Sequence, residues 1–418
     1  MTETPPADPA ESAAPVVPVA PADSAAPAQP AELVAPQHPM LFGVRRRRVV
    51  VVAVLVFLAA AIGIASLISV PYYAFTPGHA ESVSGLIELP ASKVHDHPGS
   101  ILLTDVYEVP LRAITYPIYR YFNSQASVQA NENVIGIAPV SEYNLQGQID
   151  MSNAIQSATY VALSSYGYKV QAAEKGAQLY FVDPVSNAYQ SLAVGDVVVG
   201  VDGSPVQSVE ALAPLIQKHG PGDTLKVTFR PFSNPLTGPE QTASVTLGEF
   251  RMQAGNLRCY PVGQGTRYPL FKQKGYPYPD PCVGVETEQY VSFSKLPFPV
   301  TIDPQGIVGP SAGLAFTLGL INELDPYSLT GGKTVAATGT MSFDGAVGDV
   351  GGVPQKTYAV EDAGATVFFV PPQEYKTALA HANGSLKVVE VSTVCQAVDW
   401  LVAHGGRVPP SFTCHAGS

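Results

Sequence analysis

The sequence predicts a mixed α/β protein of two or three domains that follow one N-terminal transmembrane helix. Three features support this: a long apolar stretch near the N-terminus, a central run of short strands and turns, and a serine that precedes an apolar helix near the C-terminus. The chain has 418 residues and a net charge of −11. Its only dense basic cluster is Arg45-Arg46-Arg47-Arg48, so nucleic-acid binding is not expected.

The apolar stretch runs from Val49 to Val70 and is interrupted only by Gly63, Ser66 and Ser69. A helix of this length spans roughly 33 Å, enough to cross a bilayer. The arginine cluster directly before it predicts a cytoplasmic N-terminus and an extracytoplasmic C-terminal part. The stretch is too long for a cleaved signal peptide. We therefore expect a signal anchor in the cell membrane, crossing it once.

Composition divides the N-terminal half into segments. Residues 1–44 are rich in proline and alanine and are predicted to be a disordered cytoplasmic tail. Residues 45–70 hold the arginine cluster and the transmembrane anchor. Residues 71–160 are predicted to form an extracytoplasmic α/β segment that supports the domain after it. It contains a strand at 101–106 and an amphipathic helix at 150–163.

All four cysteines lie beyond the apolar stretch, which agrees with export. An even number of cysteines in an oxidising compartment suggests disulfides. Proximity favours Cys259–Cys282 and Cys395–Cys414, although three pairings are open. Because no C-x-x-C pair occurs, no metal site is expected, and His95-Asp96-His97 is interpreted as a turn.

Residues 161–250 have the rhythm of a small β-domain. Between Leu192 and Gly203 the series Leu-x-x-Gly-Asp-x-Val-x-x-Val-Asp-Gly predicts a turn, a strand and a tight hairpin. This series, followed by a helix at 208–218, resembles PDZ domains of bacterial proteases. The resemblance implies peptide binding by strand addition, with Tyr166, Gly167, Tyr168 and Lys169 as the peptide-binding loop. Residues 251–295, rich in Pro, Gly and Tyr, are predicted to be a linker or a disulfide loop.

The chemistry is expected at Gly309-Pro310-Ser311-Ala312-Gly313, where small residues precede an apolar run. This pattern predicts a tight turn at the N-terminus of a buried helix. A lysine, Lys356, follows 45 positions later. A buried lysine is neutral more readily and can then take the proton of a serine hydroxyl. Two alternatives remain open: a helix N-cap serine, and a nucleophile elbow that uses His381, His404 or His415.

Several spaced blocks from Pro297 to about Trp400 resemble the proteolytic domain of Lon-type serine peptidases. They are Gly309-Pro310-Ser311-Ala312-Gly313, Ala337-Thr338-Gly339-Thr340, Gly345-Ala346-Val347-Gly348-Asp349-Val350-Gly351-Gly352 and Lys356-Thr357-Tyr358-Ala359-Val360. The resemblance implies a Ser–Lys dyad in which Ser311 is the nucleophile, Lys356 is the base and Thr338 orients the lysine. It assigns 296–404 to this domain and 405–418 to a C-terminal tail.

The order of segments is similar to that of the membrane-anchored, YlbL-type members of the Lon family. The implied fold class is an α/β (α+β) Lon-type proteolytic domain, preceded by a PDZ-like β-rich domain and one N-terminal transmembrane helix. No ATPase module is expected. Thr330-Gly331-Gly332-Lys333-Thr334 imitates the end of a phosphate-binding loop, but Tyr327 stands where its first glycine belongs.

The expected function is that of a membrane-anchored, ATP-independent serine endopeptidase that cleaves extracytoplasmic proteins, with the PDZ-like domain selecting or gating substrates. Its expected partners are protein or peptide substrates and the membrane. No cofactor, metal, nucleotide or nucleic acid is expected, and a homo-oligomer is left open. The alternative is a catalytically idle, membrane-tethered PDZ module that binds peptides.

Overall fold

A computed structural model describes residues 41–232, 238–271 and 280–415. Residues 1–40 of the predicted tail, part of 251–295 and the last three residues lie outside the described chain. Eight helices are described in this part of the chain: α1 Leu41–Leu67, α2 Asn131–Val134, α3 Val140–Ser165, α4 Val209–Ile216, α5 Gly313–Leu324, α6 Val353–Asp362, α7 Tyr375–His381 and α8 Val394–Ala403.

The strands follow the same chain order. They are β1 Ser69–Ser82, β2 Ile87–Glu88, β3 Ser100–Arg112, β4 Ser127–Ala130, β5 Gln171–Val182, β6 Val197–Val201, β7 Ser204–Pro205, β8 Thr224–Arg230, β9 Gln241–Thr246, β10 Gly248–Gln253, β11 Asn256–Tyr260, β12 Pro281–Cys282, β13 Val285–Lys295, β14 Thr301–Ile302, β15 Thr334–Ala337, β16 Thr340–Met341, β17 Val347–Gly348, β18 Val367–Val370 and β19 Lys387–Glu390.

Contacts divide the described chain into residues up to Ala61 and residues from Ile62 onward. Helix α1 contains one stretch apolar and long enough to cross a membrane, Arg46–Leu67, and none of the side chains in it is buried. The helix begins at Leu41 and ends at Leu67, so it starts four residues before the predicted anchor and ends three residues before Val70. It ends early because Ser69 already begins β1.

The larger α/β unit is built on a six-stranded sheet with the order β19-β18-β15-β3-β1-β4. The four strands from β19 to β3 are parallel; β1 pairs antiparallel with β3, and the edge strand β4 pairs antiparallel with β1. Successive residues of a strand point to opposite faces. Val335 and Ala337 accordingly pack in the core with α3, α5 and α8, whereas Ala336 packs in the core with α6 and α7. The unit is therefore a three-layer α/β/α arrangement.

Residues 71–160 do not form a separate support for the β-rich domain, which corrects the predicted organisation. Strands β1, β3 and β4 belong to the six-stranded sheet, and β3 pairs with β15 in parallel (Val335 opposite Ile101). The sequence reveals little of this pairing because the two strands lie far apart in the chain. The α/β unit is thus assembled from segments on both sides of the β-rich unit.

The β-rich unit, residues 171–295, contains a sheet with the order β13-β5-β6-β8-β9, and α4 packs beside it. The predicted Asp202-Gly203 hairpin is confirmed: both residues have positive φ (47° and 78°), as a two-residue hairpin loop requires. A smaller sheet joins β11, β10 and β12. Residues 251–295, predicted to be a linker or a disulfide loop, contain the Cys259–Cys282 bond. Their described part is not a linker, because β11, β12 and β13 lie there and β13 pairs with β5 along its length.

Helix α3 contributes to the cores of both units. Ile149 is buried in the core of the β-rich unit, and Leu145 packs against it. Met151, Ala158 and Val161, further along the helix, are buried in the core with α5. The two cores therefore share one continuous helix.

Two cysteine pairs are joined in the structure. Cys259 is bonded to Cys282, with a Cα–Cα distance of 5.9 Å, and Cys395 to Cys414, with a Cα–Cα distance of 5.6 Å. These are the pairings that proximity favours. The second pair holds the described end of the predicted tail against α8, and the Thr413 N–H also donates to the Ser165 carbonyl.

Candidate active site

Ser311 lies in a short 3₁₀ turn, Pro310–Ala312, that leads directly into α5. The turn needs a glycine on each side. Gly309 has a φ of +92°, a conformation in which a side chain would be strained, and its N–H donates to the Gly147 carbonyl at 2.7 Å. At Gly313 a Cβ atom would lie only 2.8 Å from the backbone nitrogen of Met341. The pentapeptide thus provides a sharp entry and a close approach between α5 and β16.

Lys356 lies in α6, on the opposite side of the sheet from α5. Gly352 starts the helix in a left-handed conformation, and Pro354 occupies the first turn. The Lys356 side chain is almost completely buried, with the residue 2% exposed. Its Nζ atom lies 2.7 Å from Ser311 Oγ and 3.1 Å from Thr338 Oγ1. The serine and lysine that lie 45 positions apart in sequence are therefore in hydrogen-bond contact.

Thr338 directly follows β15, a central strand, so its side chain lies where the two helical layers meet at the carboxyl end of the sheet. Its hydroxyl donates to the Ser311 carbonyl at 3.2 Å. Since a hydroxyl has only one proton, it acts as acceptor toward Lys356 Nζ. A neutral lysine that donates to Thr338 keeps its lone pair available for the proton of Ser311.

Burial lowers the pKa of Lys356 to about 8 because the charged ammonium is poorly solvated in this position. The carboxylates of Asp105 and Glu374 act in the opposite direction, since their negative charges favour the ammonium. Burial is the larger cause. The neutral amine is thus accessible near physiological pH, as a general base requires.

The histidines of the alternative hypothesis make other contacts in the described chain. His381 Nδ1 pairs with the Thr377 carbonyl, and His404 Nδ1 with the Trp400 carbonyl. The His415 ring packs edge-on against Tyr160. The side chain in hydrogen-bond contact with Ser311 Oγ is that of Lys356. The geometry therefore favours the lysine over a histidine as the base.

The predicted peptide-binding residues lie at the end of α3, away from Ser311 in the chain and with their own partners. Tyr166 donates its hydroxyl hydrogen to Asp325, and Gly167 and Tyr168 close the helix through backbone bonds to Ser164 and Leu163. The Tyr168 hydroxyl accepts from Lys93, and Lys169 is exposed. These contacts explain the glycine and tyrosines structurally; peptide binding at these four residues stays a prediction.

Lys333, in the segment that imitates a phosphate-binding loop, has a structural role. The Lys333 ammonium donates to the carbonyl of His404, the residue that caps the C-terminus of α8. A cation at a helix C-terminus is favourable because the helix dipole is negative there. Lys333 is therefore engaged by the protein itself.

Two contributors to the site were missed from the sequence. Gly147 of α3 accepts the N–H of Gly309, and Asp105 of β3 supplies one of the charges felt by Lys356. Neither has a local signal, because Gly147 lies in a polar run and Asp105 follows an ordinary strand pattern. Only the assembled sheet and helix layers bring them to the dyad.

Comparison with solved structures gives partial resemblances. The PDZ domain of an SdrC-like protein from Listeria monocytogenes is 16% identical, covers 28% of this chain and 93% of its own, and has a TM-score of 0.19. The PDZ domain of an SdrC-like protein from Listeria innocua is 17% identical, covers 27% of this chain and 92% of its own, and has a TM-score of 0.18.

Two proteases resemble part of the sequence. Lon protease 2 of Bacillus subtilis (strain 168) is 27% identical over 122 residues, 29% of this chain and 21% of that protein. The archaeal Lon protease of Archaeoglobus fulgidus is 28% identical over 105 residues, 25% of this chain and 17% of that protein. The chain thus spans about a fifth of the length of these relatives.

A family model covers the residues that carry the dyad. Residues 298–403 match the Lon protease (S16) C-terminal proteolytic domain. This range contains the turn with Ser311, the end of β15 with Thr338 and the α6 helix with Lys356. By this match, residues 298–403 are similar to the proteolytic domain of Lon proteases.

Proposed function

We propose that this protein is a membrane-anchored, ATP-independent serine endopeptidase that cleaves extracytoplasmic protein substrates with a Ser311–Lys356 dyad. The observation that carries the proposal is the contact of a buried lysine with the serine hydroxyl, 2.7 Å from Nζ to Oγ. A structural serine at a helix N-terminus has no need of such a partner, because burying an amine is costly.

Acylation follows from this geometry. Ser311 Oγ attacks the carbonyl carbon of the scissile bond while Lys356 Nζ takes the hydroxyl proton. The resulting oxyanion is stabilised by backbone N–H groups of the turn that leads into α5, near the positive end of the helix dipole. When the C–N bond breaks, Lys356 gives its proton to the leaving amine, and an acyl-enzyme remains on Ser311.

Deacylation repeats the cycle with water. Lys356 takes a proton from the water that attacks the acyl carbon, and it returns that proton to Ser311 Oγ as the ester bond breaks. The product acid is released, and the free serine is restored. Thr338 takes no proton; it holds the amine so that its lone pair faces the serine or the water.

Covalent labelling of the full-length protein tests the nucleophile. A fluorophosphonate probe should label the wild type at Ser311, and Ser311→Ala should abolish the label. A matched control is Ser342→Ala, because Ser342 follows β16 and is not in contact with the lysine amine in the described contacts. An unlabelled wild type that also fails to cleave unfolded protein would favour the idle peptide-binding module.

The base is tested separately by Lys356→Arg. Guanidinium remains protonated at accessible pH and cannot accept the serine proton. We expect loss of peptidase activity although the positive charge is conserved. Substantial remaining activity would overturn the lysine-base mechanism and reopen the histidine alternative at His381, His404 and His415.

We also propose that α1 anchors the protein with its N-terminus in the cytoplasm. The window Arg46–Leu67 supports this, together with the arginines at its start. Protease added to intact spheroplasts should degrade the part beyond Tyr72 and leave a short N-terminal fragment. Protection of the C-terminal part would contradict the orientation.

The β-rich unit is proposed to select or gate substrates. Its PDZ-like strand and helix order supports this role. Gln171 and Lys295 are register partners on adjacent strands, so the unit can be replaced by a short Gly/Ser linker between its ends. The excised variant should lose more activity on a folded protein substrate than on a short unstructured peptide. Equal losses on both would assign the unit a supporting role.

A further inference from the structure

A group of exposed aromatic side chains lies next to the end of the apolar helix. We call residues 116–122 the aromatic turn; its second part, Ile118–Phe122, is a π-helical turn. Phe122 is 83% exposed and Tyr121 is 72% exposed. The most exposed large apolar side chains of α1, Leu67 and Phe57, are 75% and 72% exposed. Exposed apolar groups of this size in a cluster mark an interaction surface.

The segment just before the aromatic turn is hydrogen-bonded to the end of α1 and to Ile68, the residue after it. The Ala113 N–H donates to the Ile68 carbonyl at 2.9 Å, and the Ile114 N–H donates to the Ala65 carbonyl at 3.3 Å. The Arg112 guanidinium donates to the Ser66 carbonyl at 2.6 Å. These bonds satisfy carbonyls that the end of a helix leaves unpaired. The position of the turn is therefore fixed relative to the final turn of the apolar helix.

Composition distinguishes this segment from the rest of the chain. No acidic residue occurs between Glu108 and Glu132, whereas Arg112 and Arg120 do, in a protein whose net charge is −11. The guanidinium of Arg120 lies 5.9 Å from the centre of the Tyr121 ring, and Tyr72 packs on Tyr116 with ring centres 4.8 Å apart. Tyrosine, phenylalanine and arginine together are the side chains that favour the boundary between lipid and water.

We propose that the aromatic turn lies in the lipid headgroup region, with Ile118, Tyr121 and Phe122 inserted among the lipids. A membrane fits these observations better than a protein partner, because the turn continues from the end of an apolar span and carries basic, not acidic, charge. The proposal rests on the proposed anchor. It adds a second attachment, which fixes the orientation of the catalytic unit with respect to the bilayer surface in addition to tethering it.

Fluorescence quenching in vesicles tests the proposal with the full-length protein. Phe122→Trp and, separately, Tyr121→Trp are made, and the signal of the native Trp400 is subtracted with the wild type as reference. The vesicles contain phosphatidylcholine and phosphatidylglycerol, with lipids brominated near the headgroup end of their acyl chains. Because both positions are exposed, the substitutions should not disturb the fold.

The control is Tyr327→Trp, an exposed aromatic position near the opposite end of the sheet. Ser328, next to it, donates to the carbonyl of Pro98 just before β3, whereas Arg112 ends β3 at the membrane helix. A strand rises about 3.3 Å per residue, so the two ends of β3 are roughly 40 Å apart. Tyr327→Trp should therefore remain unquenched.

We expect brominated lipid to quench Phe122→Trp and Tyr121→Trp several-fold more strongly than Tyr327→Trp. If the protein does not float with the vesicles, the anchor itself fails. If it floats but both tryptophans remain unquenched by lipid and accessible to aqueous iodide, the anchor stands and the lipid surface is overturned. Shielding from iodide without quenching by lipid would assign the turn to a protein contact, a second copy included, and would also overturn it.

Discussion

At the scale of single residues, we expect the site to work as one unit, because Lys356 Nζ contacts both Ser311 Oγ and Thr338 Oγ1. Ser311→Ala removes the nucleophile, and Lys356→Ala removes the base. Members of such a unit act non-additively, so each single change should reduce kcat/KM on the order of 10³- to 10⁶-fold, and the double variant little more. Steady-state cleavage of a fluorogenic peptide measures this. Losses that multiply would show that the two residues act independently.

The pH dependence of activity should follow the lysine. Only the neutral amine can accept the serine proton, and burial lowers the pKa of Lys356 to about 8. Activity should therefore rise as the pH increases through about 8. The Asp105 charge favours the ammonium, so Asp105→Asn should move this rise to lower pH. The kcat/KM profile of both proteins decides the point; an unshifted or raised midpoint in the variant would contradict it.

Thr338 is expected to act as a positioning residue for the lysine. Thr338→Val keeps the shape but removes both hydrogen bonds, so kcat should fall roughly 10- to 100-fold with a smaller effect on KM. Thr338→Ser conserves the hydroxyl and should restore most of the activity. Equal losses in the two variants would indicate that packing at this position, and not the hydroxyl, is what matters.

The proximity of Ser311, Lys356 and Thr338 could be predicted because the sequence blocks around them resemble those of Lon-type peptidases. Their catalytic roles stay a prediction. The support for these residues was not predictable, because Gly147 and Asp105 reach the site only through tertiary packing. Sequence patterns report local geometry well and distant pairing poorly.

At the scale of the elements, α3 is the least expected part of the structure. The predicted helix at 150–163 is only the second half of Val140–Ser165. Apolar periodicity fails before Asp150, where Gln146 donates to the Tyr180 carbonyl of β5. Besides the packing of Leu145 and Ile149, polar contacts with the β-rich unit hold this half in place, and such contacts carry no periodic signal.

The contact between α3 and the β-rich unit contains Asp150, a carboxyl group that is unfavourable to bury in its charged form. Burial, and then the negative charge of Glu288, raise the pKa of Asp150 to about 7, while the Tyr180 hydroxyl acts in the opposite direction. A carboxyl whose folded pKa is raised stabilises the fold at low pH, and this stability is lost as the pH rises from about 4 through about 7. Asn153, which bonds Glu288, and Glu286 face the same cluster.

Asp150→Asn mimics the protonated acid and should remove the loss of stability that accompanies ionisation of Asp150 as the pH rises. We expect the variant to be stabilised on the order of 1–3 kcal/mol at pH 8 and little at pH 5. Thermal unfolding at both pH values measures the difference, with Asp362→Asn as an exposed control. Equal stabilisation at the two pH values would exclude a titrating Asp150 as the cause.

At the scale of the whole molecule, the paired cysteines predict dependence on an oxidising environment. Each pair closes a short loop, with sequence separations of 23 and 19 residues. Each bond should contribute about 3 kcal/mol to stability. Non-reducing peptide mapping should recover Cys259 with Cys282 and Cys395 with Cys414, and a reductant should lower the unfolding temperature. Free thiols in the protein isolated from membranes would contradict the pairing.

The overall order of segments was predictable because composition marks the anchor, the β-rich part and the serine turn. Their assembly was not. The parallel pairing of β3 with β15 places residues from both sides of the β-rich unit in one sheet. Domain assignment from sequence order places such residues in separate domains, because the hydrophobic pattern of a strand does not show which strands are its neighbours.

The adjacent ends of the β-rich unit have a consequence for how such a chain could arise. Gln171 and Lys295 lie opposite each other on paired strands, so the unit leaves and re-enters the α/β unit at one place. Insertion of a domain is tolerated where its ends are close together. A single recombination event within the gene of an ancestral peptidase could therefore have added this unit without displacing a strand of the catalytic sheet. The inserted sequence would then be free to diverge faster than the sequence on either side of it.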